Sequence, residues 1–382
     1  MNITSYLKRI FLISVLAVVL IVFSFLVIIY VQNSRKIHIA FYNIPESVQQ
    51  TLEMQIDSYF INNQNKRSPS YLTINSNESL ATSEIKKASI IICYTGKNLA
   101  NSQKQELPLS LFSNIPRTLR SASIKDGKAY FLPLLIDHFE LAVNTKKYSK
   151  MEESTSLSDF LNKAEQISKE TNKPSLYCAG ASDSQLLQFV GALQEAITGK
   201  VPLDSSLNSV SEAISLLQEL RFKGVVPNEW VNLSNKDIAY FMQQEKIPFA
   251  LLPLSEHRNL SYNVSKNYKT FFIPANNNVK IRTFTAPTIS AFIPTHADKK
   301  NTVLANALLA YLISRPEQAI LSTKTGLAPA DATANTPDIE ADNVRYWIAA
   351  SSSPYPGLDK TTCTNTEERN INAKLLRQHL NN

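Results

Sequence analysis

Glycine is scarce in this chain. Eight glycines occur in 382 residues, and none of them falls into a G-x-G-x-x-G or Walker-type spacing, which leaves no phosphate-cradling turn. Cysteine is also sparse. Cys93, Cys178 and Cys363 form no C-x-x-C, and an odd, scattered set provides neither a zinc ligand framework nor a disulfide scaffold. Cys93 and Cys178 lie in apolar runs and read as small buried hydrophobes; Cys363 lies in a Thr/Asn-rich stretch. Five histidines and no H-E-x-x-H or G-x-S-x-G pattern leave a metallohydrolase or serine hydrolase without a motif. There is no Gly/Pro/Ser linker, no repeat and no block of like charge. The net charge of +7 comes from dispersed lysines and arginines, a solvated basic exterior rather than a nucleic-acid footprint. No cofactor and no metal follow from the residues.

One uncharged stretch does stand out. Ile10 to Val31 is apolar except for Ser14, Ser24 and Tyr30. As a helix it is roughly 33 Å long, enough for a hydrocarbon core of about 30 Å. Lys8 and Arg9 precede it, which keeps the N-terminus in the cytoplasm and puts the remainder outside. A cleaved signal peptide has a shorter apolar core and a small-x-small exit. This run instead leaves through Ile28-Ile29-Tyr30-Val31-Gln32-Asn33, so it reads as an uncleaved anchor. The expected location is the cytoplasmic membrane, single-pass, with the bulk of the chain on the periplasmic or extracellular side.

The exterior part reads as alternating strands and helices. Ile37–Tyr42, Tyr71–Ile74 and Ala88–Tyr94 are strand-like, the last of these almost wholly apolar as in a sheet covered on both faces. Val48, Leu52 and Ile56 place one apolar face on a helix from Ser47 to Phe60. Ala129 to Val143 contains Pro133 and Asp137 and reads as two extended pieces. Ser156 and Asp159 open a helix, Ser175–Ala179 is a strand, and Val210 to Leu220 is a helix closed by Gly224. Ser234 to Asp237 starts a further helix, and Pro248–Leu254 is a strand running into Ser255-Glu256-His257-Arg258. Thr288–Pro294 is a strand, and Leu304 to Ile313 is helical. Ser314-Arg315-Pro316-Glu317 reads as a capping box that starts another helix, with Gly326 as its stop. This layering is α/β.

Several short motifs occur in a fixed order: Ser89 to Gly96; Tyr130 to Asp137 followed by Leu141-Ala142-Val143-Asn144; Leu157 to Leu161; Gly180, Ser182 and Asp183 in a "GGSD"-like turn; Ala213 to Pro227; Leu312 to Ala319; and Thr325-Gly326-Leu327-Ala328-Pro329-Ala330. In this order the sequence resembles the extracellular solute-binding proteins of ABC importers, in particular the sugar- and oligosaccharide-binding type (family 1). The resemblance runs from Ile37 to Leu358. It implies a type II, periplasmic-binding-protein-like fold: two α/β lobes with a ligand cleft between them, here preceded by a transmembrane helix. The implied divisions are 1–36 for the cytoplasmic end and anchor, 37–137 and 287–330 for one lobe, and 138–286 and 331–382 for the other. The chain departs from the family pattern in its anchor and in three further places. Leu252 to His257 lacks the stacking aromatic, Glu245-Lys246 replaces a glycine, and Ser184-Gln185 replaces a pair of aromatics. With little ring-stacking surface, a charged or strongly polar solute is favoured over a plain oligosaccharide.

The candidate ligand-binding residues are Asp137, Ser182, Asp183, Gln185, Ser255, Glu256, His257 and Tyr355. Asp183 stands at a strand-to-helix turn, where it serves either a solute hydroxyl or the helix cap. Asp137 lies in an apolar run where a charge needs a partner. Ser255 to Arg258 reads first as a solvated loop and only second as ligand contacts, and Glu256 and His257 lack a third metal ligand. Tyr355 is the aromatic candidate, and Trp230 reads as core. The implied function is capture of a small polar solute, carbohydrate included, for importer permease subunits, without catalysis and without nucleic acid. Two other readings stand beside it: a binding-protein fold reused as a sensor or interaction module, and an anchored exterior hydrolase.

Overall fold

A computed structural model describes residues 36–381 except 65–66, 76–84, 96–101, 147, 149–154, 201, 203–205, 245, 278–283, 332, 335–351 and 354–365. The apolar run from Ile10 to Val31, Tyr355 and Cys363 fall outside the described residues. Among the described residues no helix is long and apolar enough to cross a membrane.

The chain begins with β1 (Lys36–Tyr42), α1 (Glu46–Asn62), β2 (Ser68–Ile74) and β3 (Ile90–Tyr94), then α2 (Arg117–Ser123) and the ribbon β4 (Ile124–Lys125) and β5 (Lys128–Ala129), and reaches β6 (Leu132–Ile136). It then passes to β7 (Phe139–Asn144), α3 (Leu157–Thr171), β8 (Leu176–Cys178), α4 (Asp183–Thr198), α5 (Ser211–Phe222), α6 (Asn235–Gln243), β9 (Phe249–Pro253), α7 (Leu254–Arg258), α8 (Tyr262–Ser265) and β10 (Tyr268–Phe271). It returns through β11 (Phe284–Thr285) to β12 (Thr288–Phe292), α9 (Lys299–Leu312), α10 (Arg315–Thr325) and β13 (Ala328–Pro329), and ends with β14 (Ser352–Ser353) and α11 (Thr366–Asn381).

Two sheets result. The first has the order β13-β6-β12-β3-β1-β2 and the second β10-β7-β9-β8. In the first sheet β1 runs parallel to β2 and β3, while β12 is antiparallel to both β3 and β6. In the second, β9 is antiparallel to β7 and parallel to β8. The chain crosses between the sheets at Asp137–His138 and at Ala286–Pro287, and the two crossings are tied together where the Asp137 N–H donates to the Pro287 carbonyl at 2.9 Å. The little parallel sheet of β11 and β14, with Phe284 opposite Ser352, brings the last part of the chain back beside the second crossing.

Each lobe is packed around its own apolar cluster. In the first, α1 lays Val48, Leu52, Ile56 and Phe60 on Ile37, Ile39 and Phe41 of β1; each of these buried side chains contributes roughly 1.5–3 kcal/mol. In the second, Trp230 is buried edge-on against Phe189 of α4, 5.8 Å between centroids at 74°.

The helix starts follow the expected chemistry with one correction. Ser156 accepts the Asp159 N–H at 3.1 Å, and Ser234 with Asp237 forms a complete capping box. Ser314 heads α10, but its side chain makes no cap bond, and the Glu317 carboxylate accepts instead from Gln55 Nε2 of α1 at 2.8 Å. A tertiary partner has taken the group that local spacing assigns to the cap. Helix α9 begins before the apolar stripe that signals it, because Asp298 caps it by accepting the Asn301 N–H at 2.7 Å.

Candidate solute site at the crossing edge

The register fixes which strand ends face the other lobe. In the second sheet Phe139 opposes Pro253 and Cys178 lies beside Leu251. The start of β7 and the ends of β8 and β9 therefore share the edge at which the chain crosses over. In the first sheet Thr288 opposes Ile136 and Ile289 opposes Tyr94, so the ends of β3 and β6 share the corresponding edge. Open α/β sheets place ligands beyond such carboxyl ends. The turns after β1, β3, β8 and β9 and the crossing segments are accordingly the candidate site.

Asp137 lies on the first crossing. Its carboxylate accepts both the Ser255 N–H at 3.0 Å and the Ser255 hydroxyl at 2.9 Å. It therefore holds the first turn of α7 to the crossing segment. Burial, against those two hydrogen bonds, pushes its pKa up to about 6, and the negative charges of Glu256 and Glu140 push in the same direction.

Ser255 to His257 form part of a helix rather than a solvated charged loop. His257 is 1% exposed, and its Nδ1 is bonded to Oε1 of Glu140, a carboxylate that is itself fully enclosed on β7. Thr270 on β10 reaches the same Oε1 at 3.4 Å, and His138 Nε2 lies 3.4 Å from Oε2. His257 thus has an internal partner and is enclosed, which corrects its reading as part of a charged surface loop. Arg258 turns the other way, donating to Ser322 Oγ at 3.1 Å and to the Leu327 carbonyl at 3.0 Å in the first lobe. Leu254 is likewise part of the first lobe's core. Glu256 is half-buried in the first turn of α7.

The turn after β8 carries Ser182, Asp183 and Gln185. Ser182, not Asp183, is the N-cap of α4, its hydroxyl accepting the Gln185 N–H at 3.5 Å. The Asp183 carboxylate is bonded to Arg377 of α11. Gly180 is required here by proximity, since a Cβ at this position would lie 2.6 Å from the Cα of Val231. The Gly180 and Ala181 N–H groups both donate to the Leu233 carbonyl at 3.1 Å. Ser182 is exposed and Gln185 half-buried.

On the opposite edge, Thr95 donates its N–H to the Thr288 carbonyl at 2.7 Å and shares a hydroxyl contact of 2.5 Å with Ser290. Asn43 follows β1 with a φ of 51°, a left-handed turn that asparagine tolerates better than most residues. Neither was singled out from sequence, nor were Glu140, His138 and Arg377. Of these only Glu140 carried a signal, as a carboxylate inside the apolar run Phe139 to Val143. Among the described residues no group of three or more His, Cys, Asp or Glu is arranged to hold a metal ion.

A model of bacterial extracellular solute-binding proteins matches residues 82–345. The chain belongs to that family. The matching model is the family's eighth group, whereas the short motifs point to the first. Among solved structures, the fold is similar to the bacterial solute receptor AcbH, described with an exclusive preference for β-D-galactopyranose, at a TM-score of 0.74 and 16% identity over 90% of this chain and 92% of that one. It is similar to maltose-bound MalE3 of T. maritima at a TM-score of 0.62 and 13% identity over 90% and 99%. It is also similar to thiaminase I of Clostridium botulinum in complex with thiamin, at a TM-score of 0.69 and 12% identity over 91% and 100%. At these identities the likeness is one of fold. No curated protein sequence matches the chain. The fold is thus the two-lobed α/β architecture of solute-binding proteins.

Proposed function

We propose that this protein is a membrane-anchored extracytoplasmic receptor that captures a small polar solute, carbohydrate being the leading class, and delivers it to the permease subunits of an ABC importer without catalysing a reaction. The observation that carries the reading is the register, with the carboxyl ends of strands from two sheets turned to one edge and two chain crossings joined at that edge. The lobes in this reading are 37–137 with 287–330 and 138–286 with 331–382, and the anchor lies within 1–36. Solved structures of like fold hold maltose or prefer galactopyranose, which favours a neutral polyhydroxylated solute.

The solute-facing residues we propose are Ser182, Gln185, Glu256 and Tyr355, with Asp137, Asp183, Ser255 and His257 supporting them from behind. The carboxylates of Asp137 and Asp183 already accept bonds from Ser255 and Arg377. That supports hydroxyl recognition over capture of a cation, against the preference for a charged solute that the missing aromatics create. The same internal saturation, together with the missing aromatics, favours a second reading as a sensor or interaction module. The two readings separate in a thermal-shift screen of the exterior body against maltose, D-galactose and a wider sugar panel. A ligand at 100 times its Kd stabilises the folded form by about 2.7 kcal/mol, a rise of several degrees in a body of this size. Silence across the panel, repeated by calorimetry, refutes the carbohydrate reading. The anchor is tested by N-terminal sequencing of the membrane-extracted protein; a mature start after Val31 refutes it.

A further inference from the structure

We propose that Arg377, on the C-terminal helix, is a positioning residue that sets the shape of the solute-facing turn Gly180–Gln185; the consequence for binding rests on the solute-receptor reading above. Arg377 spends its guanidinium on that turn alone among the described contacts. Nη2 donates to the carbonyls of Gly180 and Ala181, each at 2.9 Å, and Nη1 is bonded to the Asp183 carboxylate. One planar fork thus joins two carbonyls that lie before α4 to a side chain inside its first turn, a geometry that an ammonium cannot reproduce.

Helix α11 does not need this contact in order to dock. Ala373, Leu376 and Leu380 are buried in the second lobe's core. Gln218 Nε2 donates to the His379 carbonyl at 2.6 Å, and Arg221 Nη1 to the Leu380 carbonyl at 3.0 Å. The guanidinium therefore acts outward from an already seated helix. The turn is pinned on its other side through backbone alone, by the Leu233 carbonyl and the close approach of Val231. Removing Arg377 would leave that side intact and release the side that carries Asp183. Without the guanidinium the Asp183 carboxylate would be drawn more strongly to the N–H groups of α4's first turn, where a helix start attracts negative charge, and it would compete with Ser182 for them.

The test compares Arg377→Ala, Arg377→Lys and the unaltered protein by hydrogen exchange, circular dichroism and calorimetric titration with maltose and D-galactose. In Arg377→Ala, exchange in peptides covering 180–186 should rise about tenfold or more, while β1 and β12 keep their protection and the far-ultraviolet spectrum is unchanged. Arg377→Lys, which keeps the charge facing Asp183 and loses the paired carbonyl bonds, should fall between the two. Affinity for the sugar that the unaltered protein binds should fall by about tenfold in Arg377→Ala, equivalent to about 1.4 kcal/mol. Unchanged exchange in the turn overturns the proposal. Raised exchange with unchanged affinity reduces Arg377 to a structural contact and overturns its positioning role. If neither sugar binds the unaltered protein, the carbohydrate reading fails, and the exchange of the turn alone decides whether Arg377 shapes it.

Discussion

Replacing Asp137 by Asn should remove one component of the protein's pH dependence. Asp137 titrates at about 6 in the folded chain against an ordinary 3.8, chiefly because burial disfavours its charge. Below about pH 3.8 the carboxyl is protonated in both folded and unfolded chains, and above about pH 6 it is ionised in both. Between these values the folded chain holds a proton that the unfolded chain has lost. The charged group is therefore a destabilising element, fully present above pH 6 and relieved as pH falls toward 4. A rise of about two pH units, at about 1.4 kcal/mol each, makes that component about 3 kcal/mol. Asparagine keeps an oxygen for the Ser255 N–H and an amide that can donate to the Ser255 hydroxyl, so the geometry of the crossing is preserved. The measurement is the unfolding free energy of both proteins in urea at pH 4, 5, 6, 7 and 8. The stability of the unaltered protein minus that of Asp137→Asn should rise by about 2.4 kcal/mol from pH 7 to pH 4, most of the full component. A difference that is flat with pH refutes the assignment.

Two further outcomes follow from the same edge. Gly180→Ala puts a Cβ 2.6 Å from the Val231 backbone, a contact that can be relieved only by moving the turn after β8 or the short helical turn Trp230–Asn232, and should cost about 1–3 kcal/mol by denaturant midpoint. Glu140→Ala leaves His257 and Thr270 enclosed without their shared carboxylate and should cost about 3–5 kcal/mol; a loss below 1 kcal/mol would show that water replaces the carboxylate.

The fold was legible in the sequence because its signals are local. The apolar runs at 37–42, 88–94 and 288–294 are buried strands, and Gly224 and Gly326 terminate or follow helices with φ of 67° and 74°. The site was legible only as positions. Asp137, Asp183 and Ser255 were placed at strand ends by order and spacing, yet the partners that decide their chemistry lie far along the chain. Arg377 is 194 residues from Asp183, and Ser255 is 118 residues from Asp137. Glu317 shows the same failure in miniature: spacing assigns it to a cap three residues away, and a glutamine 262 residues away holds it. A hydrogen-bond pattern of three or four residues can be read from spacing, whereas one closed by the fold cannot.

Helix α7 is the element at which these long-range partners converge, and it constrains how the lobes can turn on one another. Leu254 is fully buried in the first lobe, and Arg258 is bonded to Ser322 and the Leu327 carbonyl there. His257, between them, is bonded to Glu140 of the second lobe's β7. Withdrawing Leu254 costs on the order of 2–3 kcal/mol of burial, and separating an enclosed His–Glu contact costs about 3–5 kcal/mol. A rotation that carried α7 away from either lobe would therefore meet a barrier that a small polar ligand could not readily offset. A rotation whose axis passes through α7 and the paired crossings at Asp137 and Pro287 strains none of these contacts, because the atoms near an axis scarcely move. Hinged closure of two bodies needs such a fixed line. Asp137 and Ser255 sit beside that line, so their mutual hydrogen bonds would be kept through such a rotation.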